Sequence, residues 1–277
     1  MQQLINQVAD IARKAGAAIL DIYNTDFAQY EKSDSSPLTE ADLAAHRIIC
    51  DGLAAISEYP ILSEESPAED MAWSNRQNWQ QFWLVDPLDG TKEFIKKNGE
   101  FTVNIALIRN GRAELGVVYC PALNRLYYSA DNLGAWRVDG DNAPVQLKVQ
   151  AEPTDGQKWA VVGSRSHGAD ALAAFSARLG DVDLVSMGSS LKLCLVAEGK
   201  AHLYPRLALT CEWDTGAAQA IVEHAGGKVL TPDLQPLRYG EKENLLNPYF
   251  IVCGAVNPLW SGAFTELAKS EAAKAGH

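Results

Sequence analysis

The segment Asp86-Pro87-Leu88-Asp89-Gly90-Thr91 places two carboxylates at the end of an apolar run and could bind a metal ion. Pro87 fixes its own φ and Gly90 permits a sharp turn, so both carboxylates and the Leu88 carbonyl can be aimed at one point. Mg²⁺ requires oxygen ligands near octahedral geometry, which this set can provide. The alternative is a capped turn, for which an Asp-Pro-x-Asp-Gly sequence is also well suited.

Two further acidic segments could add oxygen ligands to this set. Glu64 and Glu65 follow the short apolar run Ile61-Leu62, and Asp214 in Glu212-Trp213-Asp214 opens a stretch of small residues. A strand that ends at Glu64 would hold its carboxylate on a fixed scaffold. The structural alternatives are a solvated acidic loop for the first segment and a helix N-cap for Asp214. Each alternative is the better interpretation of its segment taken alone.

Two segments of the second half combine hydroxyls with basic side chains and could bind an anion. Ser164-Arg165-Ser166-His167 follows an apolar run, and Gly188-Ser189-Ser190-x-Lys192 opens a predicted helix. Free N–H groups at a helix N-terminus, hydroxyls and one lysine together make a phosphate site. A helix cap at Ser189 and a surface loop are the alternatives, and Arg206 taken alone is an ordinary surface arginine.

The elements that must position these residues follow from hydrophobic periodicity. Apolar residues at three- and four-residue intervals predict helices over 4–22 and from Thr39 to about residue 56. Apolar runs predict strands at 61–62 and 82–85, then an antiparallel meander over 101–149 with turns at Asn110-Gly111 and Asp139-Gly140. After Pro153, strands at 160–163, 183–187, 201–205, 228–231 and 250–255 alternate with helices near 168–180, 189–198, 214–226 and 257–272.

A polar stretch near residue 150 divides the chain into a predicted α+β domain, 1–150, and a predicted α/β domain, 151–277.

The 277 residues include 24 basic and 35 acidic side chains, for a net charge of −11. This balance argues against a nucleic-acid polymer or an anionic membrane as the main partner. The five scattered cysteines contain no C-x-x-C pair, and no 18-residue apolar run occurs. We therefore expect a cytoplasmic protein without a signal peptide or a transmembrane segment.

Taken together, the D-P-L-D-G-T and W-D-T motifs resemble the inositol monophosphatase superfamily of metal-dependent, lithium-sensitive phosphatases, and the resemblance runs from Lys32 to Asn257. Within it, the chain is most similar to the bacterial 3′(2′),5′-bisphosphate nucleotidases. That narrower match rests on the segments Lys32-x-Asp34-x-Ser36-Pro37-x-Thr39-x-Ala41-Asp42, S-R-S-H, G-S-S-L-K, Y-P-R and Leu246-Asn247-Pro248. The resemblance implies a layered αβαβα sandwich, with the site between the two halves.

The resemblance also implies a role for each site residue. The metal ligands would be Glu64, Asp86, Asp89, Asp214 and the Leu88 carbonyl, holding about two or three Mg²⁺ ions. Asp42 and Thr91 would activate the attacking water, which Glu64 helps to aim. The phosphate undergoing hydrolysis would meet the metal ligands Glu64, Leu88, Asp89 and Asp214 and the N–H groups of Gly90 and Thr91. The remainder of the nucleotide would meet His167, Ser189, Lys192 and Arg206.

The implied reaction is removal of the 3′-phosphate from 3′-phosphoadenosine 5′-phosphate, a product of sulfur assimilation, to leave AMP. Inositol monophosphate or a sugar bisphosphate is the alternative substrate, and a non-catalytic metal or nucleotide sensor is the alternative class. A structural interaction protein is the weakest interpretation, because it leaves the acidic residues unexplained. We expect a monomer or homodimer, and contact with the inner face of the cell membrane stays open. One departure stands out: Leu207-Ala208-Leu209-Thr210 replaces the usual Gly-Pro-Thr before W-D-T.

Overall fold

The first two long helices pack together on one face of a large sheet. The computed structural model describes residues 1–25, 29–31, 37–154, 156–163 and 169–275. Helices α1 (Gln2–Tyr23) and α2 (Glu40–Ile56) form where the periodic apolar residues predict them. Both helices bury a stripe of alanine and β-branched or leucine side chains. A short hairpin of β1 (Gln29–Glu31) and β2 (Pro37–Thr39) precedes α2 and was not predicted.

The large sheet has seven strands in chain order. They are β3 (Ile61–Ser63), β4 (Gln81–Asp89), β5 (Thr102–Arg109), β6 (Arg112–Cys120), β7 (Arg125–Ala130), β8 (Gly134–Asp139) and β9 (Val145–Gln146). Strands β3 and β4 are parallel, and every later pair is antiparallel. The meander is therefore confirmed. Its first turn has Asn110 and Gly111 at φ 49° and 74°, the left-handed values that a two-residue hairpin requires.

The second sheet has five strands in the order β11-β10-β12-β14-β13. They are β10 (Trp159–Gly163), β11 (Val182–Ser186), β12 (Leu203–Arg206), β13 (Lys228–Leu230) and β14 (Phe250–Cys253). The first three strands in this order are parallel, and β14 runs antiparallel to both of its neighbours. All five strands coincide with predicted ones, but the alternating pattern did not reveal that the sheet is mixed.

In the part of the chain that the structure describes, six further α-helices complete the layers. They are α3 (Trp73–Arg76), α4 (Thr91–Ile95), α5 (Ala169–Leu179), α6 (Leu191–Ala197), α7 (Gly216–His224) and α8 (Pro258–Ala275). Helices α6 and α7 lie between the two sheets, whereas α5 and α8 cover the outer face of the second sheet. Gly116 on β6 permits the close approach of α7, because a Cβ there would lie 2.1 Å from the Ala217 carbonyl oxygen.

The five layers share three apolar cores. One lies between α1, α2 and the first sheet, one contains α6 and α7 between the sheets, and one lies under α5 and α8. The predicted αβαβα sandwich is confirmed. The division into 1–150 and 151–277 stays a prediction, and its boundary coincides with the link between β9 and β10.

All five cysteines lie in the described residues, and none of them forms a disulfide bond. Burial raises the pKa of Cys50 and Cys120 to about 11, so these thiols stay protonated at neutral pH. Within the described parts of the chain, no helix is both long enough and apolar enough to cross a membrane.

Candidate active site

The pairing of β3 with β4 brings two acidic residues to the same edge of the first sheet. Ser63 is in register with Val85 in this parallel pair, and the Glu64 N–H donates to the Val85 carbonyl oxygen at 3.1 Å. Glu64 therefore lies beside Asp86, although 21 residues of sequence lie between the two. Parallel strands that end together are a recurrent place for functional groups in such folds.

After Asp86 the chain makes the predicted sharp turn. The register of β4 against β5 shifts between Asp86 and Asp89, and Gly90 has φ 89°, a left-handed value that favours glycine. The Leu88 N–H donates to Asp86 Oδ1 at 3.1 Å, and Thr91 Oγ1 lies 3.4 Å from the Leu88 carbonyl oxygen. Helix α4 begins at Thr91, directly after this turn. The two carboxylates are thus fixed by backbone geometry.

The third carboxylate arrives from the second half of the chain. A short 3-10 helix spans Glu212–Asp214, and Asp214 Oδ2 accepts a hydrogen bond from the Cys211 N–H at 2.8 Å. Gly216 lets this segment approach β4, since a Cβ there would lie 2.8 Å from Leu84 Cδ2. One oxygen from each of Asp86, Asp89 and Asp214 lies within 4.8 Å of the others.

Burial and mutual repulsion make this cluster unfavourable in its charged form. Burial is the largest cause that raises the pKa of Asp86 well above its usual value, followed by the charges of Glu64 and Asp89. Burial also raises the pKa of Asp89, and it raises that of Asp214 to about 8, with Asp89 and Glu64 adding to the effect. A divalent cation bound here would reverse these shifts, because it stabilises the ionised carboxylates.

The donor set matches a hard cation such as Mg²⁺. The Asp86–Asp89–Asp214 cluster offers only oxygen, and the charge of Glu64 acts on two of its members, Asp86 and Asp214. Mg²⁺ prefers carboxylate and carbonyl oxygens and keeps part of its water shell. The residues present therefore fit the ion that the sequence predicts.

Asp42 lies near the start of α2. It occupies the first turn of that helix, is fully buried, and its charge contributes to the raised pKa of Asp86. The capping alternative requires the side chain of Thr39, and the structure describes only the backbone of that residue. Lys32, Asp34 and Ser36 lie outside the described residues. Asp42 thus lies within electrostatic range of the carboxylate cluster.

The segment 188–192 contacts the carboxylate cluster directly. The Ser190 N–H donates to Asp89 Oδ2 at 2.5 Å, and the Gly188 N–H donates to Glu100 Oε2 at 2.7 Å. Ser189 has φ 46°, and its carbonyl oxygen accepts a hydrogen bond from Lys192 Nζ at 2.6 Å. Burial lowers the pKa of Lys192 to about 8, whereas the negative charge of Asp89 opposes that shift.

Arg206 places a second positive charge near the cluster. It ends β12, and its charge acts to lower the pKa values of Asp89 and Asp214. Its guanidinium donates to the carbonyl oxygens of Ala208 and Leu209, at 3.0 Å each. The unusual 207–210 loop is therefore held by the arginine that precedes it. The remaining predicted residue, His167, lies outside the described residues, as does the rest of 164–168.

Sequence reasoning missed polar residues that support this site. Thr102 and Asn104 on β5 are fully buried and lie beside Ser190. The sequence does indicate this pair, because two polar residues spaced by two at the start of a largely apolar strand must share one face of the sheet. Glu212, in contrast, pairs with Lys242 Nζ at 3.0 Å and accepts the Gly240 N–H at 2.9 Å, so its carboxylate is already satisfied within the fold.

Comparison with known proteins agrees with the family resemblance seen in the sequence motifs. Residues 1–269 match the model of the inositol monophosphatase family. The 3′(2′),5′-bisphosphate nucleotidase CysQ of Salmonella typhimurium is 48% identical over 254 residues, which cover 90% of this chain and 99% of that protein. The CysQ of Escherichia coli K12 is 47% identical over 252 residues, with the same two coverages.

Solved structures agree in fold. The crystal structure of CysQ from Bacteroides thetaiotaomicron superimposes with a TM-score of 0.81 at 42% identity, covering 92% of this chain and 99% of that one. An inositol monophosphatase from Thermotoga maritima gives a TM-score of 0.73 at 22% identity, covering 99% of each chain, and supports the fold alone. The family match spans nearly the whole chain, and the carboxylate cluster lies on the motifs that first suggested it. The chain belongs to the inositol monophosphatase family.

Proposed function

We propose that this protein is a Mg²⁺-dependent phosphatase that hydrolyses the 3′-phosphate of 3′-phosphoadenosine 5′-phosphate to give AMP and phosphate. The observation that carries this proposal is the contact between Asp89 and the segment 188–192, which places a lysine beside a buried carboxylate cluster. A substrate with two phosphates can meet both features at once. The relatives that are 47–48% identical over 90% of the chain are named for this activity.

The metal-binding part of the proposal uses four carboxylates and one carbonyl. Asp86, Asp89, Asp214, Glu64 and the Leu88 carbonyl would hold about two or three Mg²⁺ ions. When bound, the ions supply charge neutralisation at the phosphoryl oxygens and lower the pKa of a coordinated water. The raised pKa values of Asp86 and Asp214 support this assignment, because buried carboxylates of one sign otherwise lose their charge.

The chain's own residues would then orient and deprotonate the attacking water. Asp42 and Thr91 are the proposed pair, with Glu64 helping to aim the water and Asp42 as the final acceptor of its proton. The Thr91 hydroxyl lies 3.4 Å from the Leu88 carbonyl oxygen, so it is held in the turn that also bears the metal ligands. The N–H groups of Gly90 and Thr91 at the start of α4 would bind the phosphate.

The second phosphate would be met by cations at the other side of the cluster. Lys192 and Arg206 are the proposed partners, together with the Ser189 hydroxyl, and His167 would pack beside the adenosine. Both cations act on the pKa of Asp89, which supports their lying close enough to span one substrate. An inositol monophosphate has no second phosphate for these cations to bind.

The direct test compares phosphate release from 3′-phosphoadenosine 5′-phosphate, inositol 1-phosphate and fructose 1,6-bisphosphate at fixed Mg²⁺. We expect the highest kcat/KM for the nucleotide. Preference for inositol 1-phosphate or for the sugar bisphosphate would replace this proposal with one of the two alternative substrates. Nucleotide binding without any phosphate release would identify a sensor. Asp89→Asn, which removes one cluster carboxylate, should abolish turnover, whereas Asp181→Asn at the exposed Lys158 pair should leave it intact.

We also propose a cytoplasmic location and a monomeric or homodimeric state, with contact at the inner membrane face left open. Five cysteines that form no disulfide bond support a reducing compartment. Removal of the 3′-phosphate would recycle a by-product of sulfur assimilation. Size-exclusion chromatography with light scattering would determine the oligomeric state, and fractionation of cells would determine the location.

A further inference from the structure

Three polar side chains close a ring of hydrogen bonds in the core between the two sheets. Ser190 Oγ donates to Asn104 Oδ1 at 2.6 Å, and Asn104 Nδ2 lies 3.3 Å from Thr102 Oγ1. Thr102 Oγ1 and Ser190 Oγ are 2.9 Å apart. Because the Ser190 hydrogen is used on Asn104, Thr102 is the donor in that last bond. Each of the three side chains therefore both donates and accepts once.

This ring lies where polar groups are expensive. Thr102, Asn104 and Ser190 are 0%, 1% and 2% exposed. A buried polar group costs free energy unless it is hydrogen-bonded, so a complete ring is stable whereas a broken one leaves orphaned groups. Two apolar residues, Ala106 and Ile108, continue the same face of β5 in the core between the sheets. An apolar residue would fill either strand position without this risk, so packing alone does not explain the polar choice.

The ring connects the two parts of the proposed active site. On β5, Asn104 is in register with Asp86 and Thr102 is in register with Asp89. Directly opposed residues of an antiparallel pair project from one face of a sheet. Ser190, the third member, donates its backbone N–H to Asp89 Oδ2 and lies next to Ser189, whose carbonyl oxygen binds Lys192. The ring is thus attached to β5 on one side and to segment 188–192 on the other.

We infer that Thr102, Asn104 and Ser190 are positioning residues that fix the segment 188–192 against the metal ligand Asp89. The ring holds the Ser190 N–H on the Asp89 carboxylate, which orients that carboxylate for the cation. It also sets the separation between the carboxylate cluster and Lys192. This separation determines how far apart the two phosphates of a bound substrate can lie. The second consequence rests on the proposed function, whereas the first concerns metal binding alone.

The test measures Mg²⁺ binding by calorimetry without substrate, on variants matched in shape. Thr102→Val keeps the shape of threonine but removes its hydroxyl, and Thr102→Ser keeps the hydroxyl. We expect Thr102→Val and Ser190→Ala to weaken Mg²⁺ binding about tenfold, the usual lower effect of removing a group that orients a metal ligand. Thr102→Ser should bind Mg²⁺ nearly as the wild type does.

A control separates positioning from general destabilisation. Ser129 is also fully buried, and its hydroxyl lies 3.0 Å from His224 Nδ1, away from the carboxylate cluster. Ser129→Ala should lower the melting temperature as Ser190→Ala does while leaving Mg²⁺ affinity unchanged. If Ser190→Ala lowers only the melting temperature, or if Thr102→Ser binds Mg²⁺ as poorly as Thr102→Val, the inference is overturned.

Substrate kinetics then test the second consequence. In the variants that lose the ring, KM for the nucleotide bisphosphate should rise more than KM for inositol 1-phosphate, at saturating Mg²⁺. An equal rise for both substrates would refute the spacing role. If the wild type does not prefer the nucleotide, the proposed function fails, but the calorimetric result still decides the metal-positioning role.

Discussion

Without bound Mg²⁺, the stability of this protein should fall as pH rises from 6 to 8. Asp214→Asn should remove much of this pH dependence. The folded pKa of Asp214 is raised to about 8, above its ordinary value of 3.8. Between these values the folded chain keeps a proton that the unfolded chain loses, so the contribution of Asp214 is fully present at low pH. It is lost progressively as pH approaches 8.

The magnitude follows from this linkage. One group with such a shift costs about 1.4 kcal/mol per pH unit, so Asp214 costs on the order of 3 kcal/mol between pH 6 and 8. For a chain of this size, that corresponds to a fall of roughly 5–10 °C in melting temperature. The Asn variant retains an oxygen for the Cys211 N–H, which donates to Asp214 Oδ2 at 2.8 Å in the wild type.

Differential scanning calorimetry in chelator, with and without Mg²⁺, measures both effects. In chelator at pH 8, Asp214→Asn should melt above the wild type, and the advantage should shrink at pH 6. Added Mg²⁺ should stabilise the wild type most at pH 8 and the variant very little. Asp181→Asn, at an exposed carboxylate, should behave as the wild type does throughout. A wild-type melting temperature that rises between pH 6 and 8 in chelator to the same extent as that of Asp214→Asn would exclude Asp214 as the source of the pH dependence.

Three further outcomes follow from the site. Lys192→Ala should raise KM for the nucleotide by a factor equivalent to roughly 1.5–3 kcal/mol, the value of a lost charge-assisted contact. Lys269→Ala, at an exposed lysine of α8, should leave this KM unchanged. An equal rise in KM for inositol 1-phosphate would contradict the role of Lys192. Asp42→Asn should lower kcat roughly 10²–10⁴-fold with little change in melting temperature, whereas a destabilised but active variant would favour the capping role. Ca²⁺ should inhibit the Mg²⁺-dependent reaction, because its looser coordination misplaces the attacking water. Li⁺ should also inhibit, as the family resemblance implies. Activity that is insensitive to both ions would count against the proposed nucleotidase function.

Much of the fold could be predicted because its elements have strong local patterns. Helix α1, helix α2 and the strands of the meander each carry a continuous apolar period, and all were placed by it. The one-turn helices α3 and α4 were missed, since four or five residues are too few for a period to show. Strand direction in the second sheet depends on which strands become neighbours, and local sequence does not encode that.

The site residues also differ in whether local sequence could predict their positions. The ends of β3 and β4, with Glu64 and Asp86, could be predicted from apolar runs that stop at acids. The meeting of Asp89 with Asp214 and with segment 188–192 depends on packing across the middle layer, which only the family resemblance anticipated. The spacing of Thr102 and Asn104 indicates a shared polar face, but their partner Ser190 lies 86 residues beyond Asn104, and local sequence does not show that the three meet.

The most direct test is to identify the product formed from 3′-phosphoadenosine 5′-phosphate by ³¹P NMR in the presence of Mg²⁺. In the proposed reaction, the carboxylate cluster acts on one phosphate while Lys192 and Arg206 hold the other. We expect one equivalent of inorganic phosphate and AMP that retains its 5′-phosphate, with no reaction in excess chelator. Formation of 3′-AMP, release of both phosphates, or full turnover in chelator would contradict it.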